Sequence, residues 1–120
     1  MRRNHVMRKK NYKGRCEKVS VSKSKEVCRL YSDLQKKYLK VLQENPEIEE
    51  IRCNVLLDGL ELGEYTSDFV CIKTGRKMMV RECIETKYLT KPMRVKLLDA
   101  SRDYWMNLGI TDWGMIVDGE

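Results

Sequence analysis

Apolar residues recur at three- and four-residue steps between Ser24 and Asn45. The positions in this series are Val27, Leu30, Tyr31, Leu34, Tyr38, Val41 and Leu42. Such spacing predicts a helix of about five turns with one apolar stripe facing the core. Asn45-Pro46 ends the helix, because the residue before a proline disfavours helical geometry. Gln35 places an amide on or beside the stripe.

Three runs rich in β-forming residues follow this helix. The first spans Ile48 to Leu57, and the other two span Tyr65 to Lys73 and Lys77 to Ile84. Only Thr74-Gly75-Arg76 separates the last two runs, and a short glycine-containing connection between such runs is typical of a hairpin. The pattern therefore predicts three strands, of which the second and third form an antiparallel hairpin.

The length of the hairpin turn decides where two acids lie. With a three-residue loop centred on Gly75, Lys73 faces Lys77, and counting back along both arms places Asp68 opposite Glu82. A two-residue loop would shift the register by one residue and place the two acids on opposite faces of the sheet. The sequence therefore predicts a carboxylate pair on one face of the hairpin.

A compensating positive charge is expected beside this pair. Facing carboxylates repel each other and destabilise a sheet, so a sequence that keeps them there usually neutralises them. Carboxylate oxygens favour a hard divalent cation, which makes Mg²⁺ or Mn²⁺ the expected cofactor. The alternative is a structural ion cluster in which Arg81 or Arg76 neutralises the acids without a metal.

The rest of the chain predicts a second helix and a last strand. Thr90-Lys91-Pro92 is a helix start, because Thr90 offers a capping hydroxyl and proline is tolerated in the first turn. The buried stripe of this helix is formed by Leu97, Leu98, Ser101, Tyr104, Trp105 and Leu108. Gly109 ends the helix, and Ile110 to Val117 alternates as a short strand does. The order α, β, β, β, α, β predicts an α/β fold.

Composition restricts the class of protein. The 120 residues suffice for one domain. No apolar run approaches the roughly 20 residues of a membrane span and no signal-peptide core is found, so we expect a soluble, cytoplasmic protein. Five cysteines without a Cys-x-x-Cys pair favour buried free thiols over disulfides or a zinc site. The single histidine, His5, argues against histidine-based catalysis.

Charge divides the chain at residue 25. Residues 1–25 contain ten of the 24 Lys and Arg residues and a single acid, Glu17, although the whole chain carries only +6. We therefore expect a basic, poorly ordered tail (1–25) and one α/β domain (26–120). Such a tail attracts nucleic acid ahead of an anionic membrane, or is merely a solubilising leader. The side chains predicted to contact DNA are Arg2, Arg3, Arg8, Lys9, Lys10, Lys13 and Arg15.

Three segments of the hairpin and second helix carry a family resemblance. Tyr65-Thr66-Ser67-Asp68-Phe69 is similar to a Y-T-P-D-F motif, Met79-Val80-Arg81-Glu82 to the strand after it, and Leu98 to Ile110 to the next helix. The family is the TnsA-type endonucleases, which cut DNA in certain heteromeric transposition systems. The similarity covers Val27 to Val117. It implies a PD-(D/E)XK, restriction-endonuclease-like fold with an αβββαβ core, in which helices flank a central mixed sheet.

The resemblance also implies an active site in which two positions are intact. Asp68 and Glu82 match the metal-binding acids of the family. In the first helix the family has a glutamate three residues after a serine, and here Gln35 follows Ser32. The family's lysine belongs two residues after the strand acid, where this sequence has Ile84. Alternation places that isoleucine on the face of Glu82, so the usual charge is missing there.

A lysine from the second helix is the expected replacement. Lys96, or Lys91 at the helix start, would supply the charge that Ile84 lacks. Glu85-Thr86-Lys87 also spells acid-x-lysine, but its side chains point away from the face of Glu82 unless a bulge intervenes. The expected catalytic set is therefore Asp68, Glu82, Gln35 and Lys96.

Two functions follow from the resemblance. The first is a metal-dependent DNA endonuclease, in which Asp68 and Glu82 hold the ion that activates a water for phosphodiester hydrolysis. The second is a non-catalytic, nuclease-derived protein of a mobile element that binds DNA or docks on a transposase. The two acids favour the first function, whereas Gln35 and Ile84 favour the second. The expected partners are DNA and a transposase or other mobile-element protein, without a membrane.

Overall fold

The computed structural model describes residues 16–118. Its strands and helices are β1 (Glu17–Val19), β2 (Cys28–Leu30), α1 (Asp33–Glu44), β3 (Ile48–Leu56), β4 (Thr66–Lys73), β5 (Met78–Ile84), α2 (Pro92–Asn107) and β6 (Trp113–Val117). Single 3₁₀ turns follow β4 and β5, at Thr74–Arg76 and Thr86–Tyr88. The seven basic side chains predicted to contact DNA lie outside the described residues.

The predicted series α, β, β, β, α, β is confirmed from α1 to β6, and a small hairpin of β1 and β2 precedes it. The main sheet has the order β3-β4-β5-β6. Its first three strands are antiparallel and β6 runs parallel to β5, so the sheet is mixed. A parallel neighbour requires a crossover, and α2 supplies it between β5 and β6.

The two helices cover opposite faces of this sheet. Phe69 and Cys71 of β4 belong to one core cluster, together with Leu39 of α1. Val70, between them in sequence, belongs to a second cluster together with Leu97 of α2. Because consecutive strand residues point to opposite faces, the protein is a three-layer α/β fold with a core on each side of its sheet.

The first helix begins at Asp33, so the predicted start at Ser24 is wrong. Ser32 has extended backbone angles, and its hydroxyl accepts a hydrogen bond from the backbone N–H of Gln35 at 3.2 Å. Upstream, Cys28 and Leu30 are buried around an exposed Arg29, which is the two-residue alternation of a strand. Leu30 fits both periods, so the apolar series extended the helix prediction into β2.

Residues 16–25 belong to the folded part of the chain, although the sequence placed them in a poorly ordered tail. β1 pairs with β2, and Val19 and Val21 pack on the first core cluster. The carbonyl of Lys23 accepts a hydrogen bond from Ile51 N–H at 2.9 Å, and its ammonium donates to the Asn45 carbonyl at 2.7 Å. The density of positive charge predicted disorder here, but the packing of Val19 and Val21 and the pairing of β1 with β2 order the segment.

The second helix begins with Pro92 and is followed by Gly109 at φ +86°, both as predicted. The N-cap residue is Lys91 and not the predicted Thr90, and its side chain makes no capping hydrogen bond. The Thr90 hydroxyl donates to the Lys87 carbonyl instead. Leu108 of the predicted stripe is also exposed. No helix among the described residues has the length and apolar character needed to cross a membrane.

The last strand begins at Trp113, three residues after the predicted start at Ile110. Its residues alternate, because Met115 and Val117 are exposed while Ile116 packs on the first core cluster. The five cysteines are free thiols, as predicted. Cys28, Cys71 and Cys83 are buried, and the other two are half-buried.

The cap of α1 gives a test of this fold. We expect Ser32→Ala to lower the free energy of unfolding by about 1 kcal/mol, because the first turn of α1 loses its side-chain acceptor. Urea denaturation of the two proteins measures the difference. Thr90→Ala is the matched control and should cost less than about 0.5 kcal/mol, since that exposed hydroxyl caps no helix. Equal losses in both variants would contradict the assigned start of α1.

Candidate functional site

The β4–β5 hairpin has the register that brings the two acids together. Phe69 pairs with Arg81, and Ile72 with Met78. The N–H of Lys73 donates to the carbonyl of Lys77 at 2.7 Å, which closes a three-residue loop around Gly75 at φ +83°. Continued one residue beyond Phe69, this register places Asp68 opposite Glu82. The predicted turn length and pairing are confirmed.

The two carboxylates replace the backbone ladder where the strands separate. The last ladder pair at this end of the hairpin is Phe69 with Arg81. Beyond it, Glu82 Oε1 accepts a hydrogen bond from the N–H of Asp68 at 3.0 Å, and Asp68 Oδ2 accepts one from the N–H of Cys83 at 2.7 Å. Each acid thus satisfies a backbone donor of the opposite strand. Both side chains are buried, with 2% and 1% exposure.

Gln35 reaches Asp68 from the first turn of α1, as the sequence predicted. Its Nε2 donates to Asp68 Oδ1 at 3.0 Å, and its Oε1 accepts the backbone N–H of Tyr31. A backbone N–H can only donate, so it fixes the amide oxygen on its own side and turns the NH₂ group toward the acid. The buried amide is therefore a hydrogen-bond donor to Asp68. Its oxygen does not face the position where a cation bound to Asp68 would need a ligand.

Ser101 reaches Glu82 from the opposite helix, α2. Its hydroxyl donates to Glu82 Oε2 at 2.7 Å and accepts the indole N–H of Trp113 at 3.0 Å. Ser67 lies 3.4 Å from Ser101, oxygen to oxygen, and accepts the indole N–H of Trp105 at 2.9 Å. Both serines are fully buried. Sequence analysis placed Ser101 on the buried stripe of α2, and a serine among leucines was the signal that it serves a buried acceptor.

Among the described residues, Gln35 does not give this acid pair a third oxygen ligand for a divalent cation. Each carboxylate oxygen of Asp68 and Glu82 already accepts a protein hydrogen bond, and Gln35 turns its nitrogen toward them. Mg²⁺ requires near-octahedral oxygen ligands at about 2.1 Å. Between residues 16 and 118, no group of three or more His, Cys, Asp or Glu side chains is placed to hold a metal ion. A cation would bind Asp68 and Glu82 beside or in place of these donors, since each carboxylate oxygen has two acceptor sites.

None of the predicted lysine replacements is buried with the acid pair. Lys96, Lys91 and Lys87 are all exposed, and Ile84 keeps its buried position beside Glu82 at 4% exposure. The buried cation of α2 is Arg94 instead, with 8% exposure. It was missed because the apolar stripe of α2 was assigned from Leu97 onward.

Arg94 is stabilised by an aromatic ring. Its guanidinium carbon lies 4.4 Å from the ring centroid of Tyr88, within cation–π distance. Lys87 approaches the same ring, with its ammonium 5.3 Å from the centroid. In the sequence, Lys87 and Tyr88 lie just ahead of the helix start at Pro92, and Arg94 lies in the first turn of the helix.

Neither arginine proposed for a structural ion cluster serves the acid pair. Arg76 is exposed at the hairpin turn. Arg81 turns toward Asp112 and donates to its Oδ1 at 2.7 Å, while Lys73 donates to its Oδ2 at 3.0 Å. Burial alone would raise the pKa of Asp112, but these two cations outweigh it and lower the pKa. Arg81 and Lys73 thus hold the residue just before β6, away from Asp68 and Glu82.

The described part of the site is therefore a polar network between the two helical layers. Donors to the two acids come from α1, from α2 and from the backbones of β4 and β5. Searches with this sequence match no family model and no curated protein.

Ser101 provides the test of the network. We expect Ser101→Ala to lower the free energy of unfolding by about 2–3 kcal/mol, because Glu82 loses a short buried donor and the Trp113 indole loses its acceptor. Urea denaturation measures the loss. Ser22→Ala is the control, since Ser22 accepts a hydrogen bond from Gln43 at an exposed position, and it should change the stability by less than about 0.5 kcal/mol. A loss no greater than that of the control would contradict the network.

Proposed function

We propose that this chain is a nuclease-derived DNA-binding protein of a mobile element, related to the TnsA-type endonucleases, in which the site for catalysis has become a structural network. On this proposal the three-layer α/β fold is of the PD-(D/E)XK class. The chain holds DNA, or docks on a transposase that does the cutting, and does not itself hydrolyse phosphodiesters.

The arrangement of the layers supports the nuclease-like origin. The hairpin presents Asp68 and Glu82 to each other, α1 brings Gln35 to the first acid, and α2 covers the second. These are the positions at which the resemblance implies two metal-binding acids and a helix glutamate. A hairpin without such an origin gains little from burying two carboxylates, since desolvation of each charge is costly.

One observation favours a binding role over catalysis, namely that protein donors occupy the oxygens of both acids. Nuclease chemistry of this class needs oxygen ligands for a cation and a positive charge near the scissile phosphate. Here the third ligand position is Gln35, whose nitrogen faces Asp68, and the charge position is the buried Ile84. Both departures fill the space with groups that stabilise the fold without a metal.

The charges of the chain support DNA as the partner. Residues 1–15 contain seven Lys and Arg side chains and no acid. In the described part, Lys87, Lys91 and Lys96 are exposed around the start of α2. Contacts of this kind bind phosphates without reading the bases, so the proposal is for binding that depends on salt more than on sequence.

An active, Mg²⁺- or Mn²⁺-dependent endonuclease is the second candidate. The observation in its favour is the hairpin register itself, which keeps Asp68 and Glu82 in the geometry that the resemblance requires. For this function a cation would have to bind Asp68 and Glu82 beside or in place of their hydrogen-bond donors, and an exposed lysine such as Lys96 would have to approach the phosphate.

Restoring the two missing groups separates these functions. We expect wild-type protein to show no Mg²⁺-dependent nicking of supercoiled DNA and no Mg²⁺-dependent rise in Tm. In Gln35→Glu/Ile84→Lys, a third carboxylate beside Asp68 should destabilise the metal-free protein, and Mg²⁺ should restore the lost stability because it binds the three acids. If the geometry is intact, nicking should rise about 10²–10³-fold over wild type.

Two controls accompany this variant. Circular dichroism must first show that the lysine at position 84 is tolerated, since Ile84 is buried. Asp68→Ala in the restored background should then abolish both the Mg²⁺ effect on Tm and the nicking. Mg²⁺-dependent nicking by wild type that is lost in Asp68→Ala would establish the endonuclease. If Lys96→Ala also loses this nicking and Lys37→Ala does not, the catalytic lysine is on α2 and not at position 84.

DNA binding is tested through the basic residues at the start of the chain. We expect replacement of Arg2, Arg3, Arg8, Lys9, Lys10, Lys13 and Arg15 by glutamine to weaken binding to unrelated duplexes alike. Fewer counterions are then released, so the slope of log K against log salt should flatten by up to about 6. Fluorescence anisotropy with labelled duplexes measures both. Lys37→Gln/Lys40→Gln, on the exposed face of α1, is the control, and an unchanged slope in the seven-residue variant would contradict this role.

A further inference from the structure

Two thiols face each other where the small hairpin meets the main sheet. Cys28 lies on β2 and Cys53 on β3, and their sulfur atoms are 2.9 Å apart. A disulfide bond is about 2.05 Å long, so the sulfurs need approach by only about 0.9 Å to reach it. Neither thiol takes part in the network around Asp68 and Glu82.

The hydrogen bond between these thiols gives the pair an asymmetric chemistry. Cys53 donates its S–H to the sulfur of Cys28, and this bond outweighs burial and lowers the pKa of Cys28 to about 7. The same bond and the burial of Cys53 raise the pKa of that thiol. One sulfur of the pair is therefore readily ionised, and its neighbour holds the proton that it shares.

The two sulfurs also differ in access to solvent. Cys28 is fully buried, whereas Cys53 is half-buried and lines a surface cavity of about 350 Å³. Lys25 and Arg52 line the same cavity. A small oxidant can therefore meet the sulfur of Cys53 first, with Cys28 placed behind it to resolve the product.

We propose that Cys28 and Cys53 are a site of reversible oxidation to an intramolecular disulfide, with a low-molecular-weight disulfide such as oxidised glutathione as the oxidant. Cys53 gives its proton to the Cys28 thiolate and attacks one sulfur of the oxidant, so the oxidant's S–S bond breaks, a mixed disulfide forms and one thiolate leaves. Cys28 then loses that proton to water and attacks the Cys53 sulfur, which breaks the mixed disulfide, forms the protein disulfide and releases the second thiolate. In sum, two protein thiols are oxidised to one disulfide while one oxidant disulfide is reduced to two thiols.

This disulfide would fix the element on which Gln35 depends. Tyr31 follows directly after β2, and its N–H holds the amide oxygen of Gln35. A covalent link from Cys28 to β3 holds β2 against the main sheet, and with it the group that orients Gln35 toward Asp68. Oxidation therefore strengthens the closed state of the acid network, and this effect does not require the protein to bind DNA.

The test is a titration of the folded, full-length chain in mixtures of reduced and oxidised glutathione. After acid quenching and alkylation, mass spectrometry should show a protein that has lost two hydrogen atoms and carries two alkyl groups fewer than the reduced one, and peptide mapping should join Cys28 to Cys53. Cys16, Cys71 and Cys83 should remain alkylated as free thiols. The oxidised protein should melt on the order of 10 °C higher than the reduced one, because the link closes a loop of about 25 residues.

Matched variants separate this pair from the other thiols. Cys53→Ser and Cys28→Ser should each abolish the disulfide and the rise in Tm, whereas Cys83→Ser, checked by circular dichroism, should retain both. A small oxidant such as diamide, applied to folded wild type, provides a second measurement for the buried pair. The proposal is overturned if the folded protein forms no Cys28–Cys53 link with either reagent, or if it links other cysteines first.

Discussion

Two buried carboxylates hold together the end of the hairpin where backbone pairing stops. Between Phe69 and Ile72 the strands β4 and β5 form an ordinary antiparallel ladder, and beyond it each acid accepts the N–H of the strand opposite. A buried acceptor of this kind must have donors from every side. α1 and α2 provide them through Gln35 and Ser101, so the positions of both helices depend on the same two side chains.

The nuclease-like and structural interpretations of this pair share one physical basis. Facing carboxylates need compensation, which a cation can give through charge or a protein can give through hydrogen bonds. In the described part of this chain, the groups that donate to the acids include an amide, a hydroxyl and two backbone N–H groups. A glutamine at position 35 gives Asp68 a hydrogen-bond donor, whereas a glutamate there would give it a second acid to repel.

Much of this arrangement could be predicted from the sequence because it depends on local rules. The Gly75 turn fixed the register and hence the meeting of Asp68 with Glu82, and Pro92 and Gly109 marked the ends of α2. The start of α1 could not be predicted from periodicity, because Leu30 satisfies both the helical and the strand period. Ser101 and Arg94 were missed as partners because their roles depend on which residues of other elements pack against them. The charge of residues 16–25 predicted disorder, but the pairing of β1 with β2 orders them.

The two tryptophans of the chain both donate indole hydrogen bonds to the pair of serines beside Glu82. Trp105 donates to Ser67 and Trp113 donates to Ser101, and these are the only two tryptophans in the sequence. Indole emission depends on the polarity and hydrogen bonding around the ring, so the tryptophan fluorescence of the protein comes entirely from the border of the acid network. Any ligand, cation or partner that opens this network will change that emission directly, without an added label.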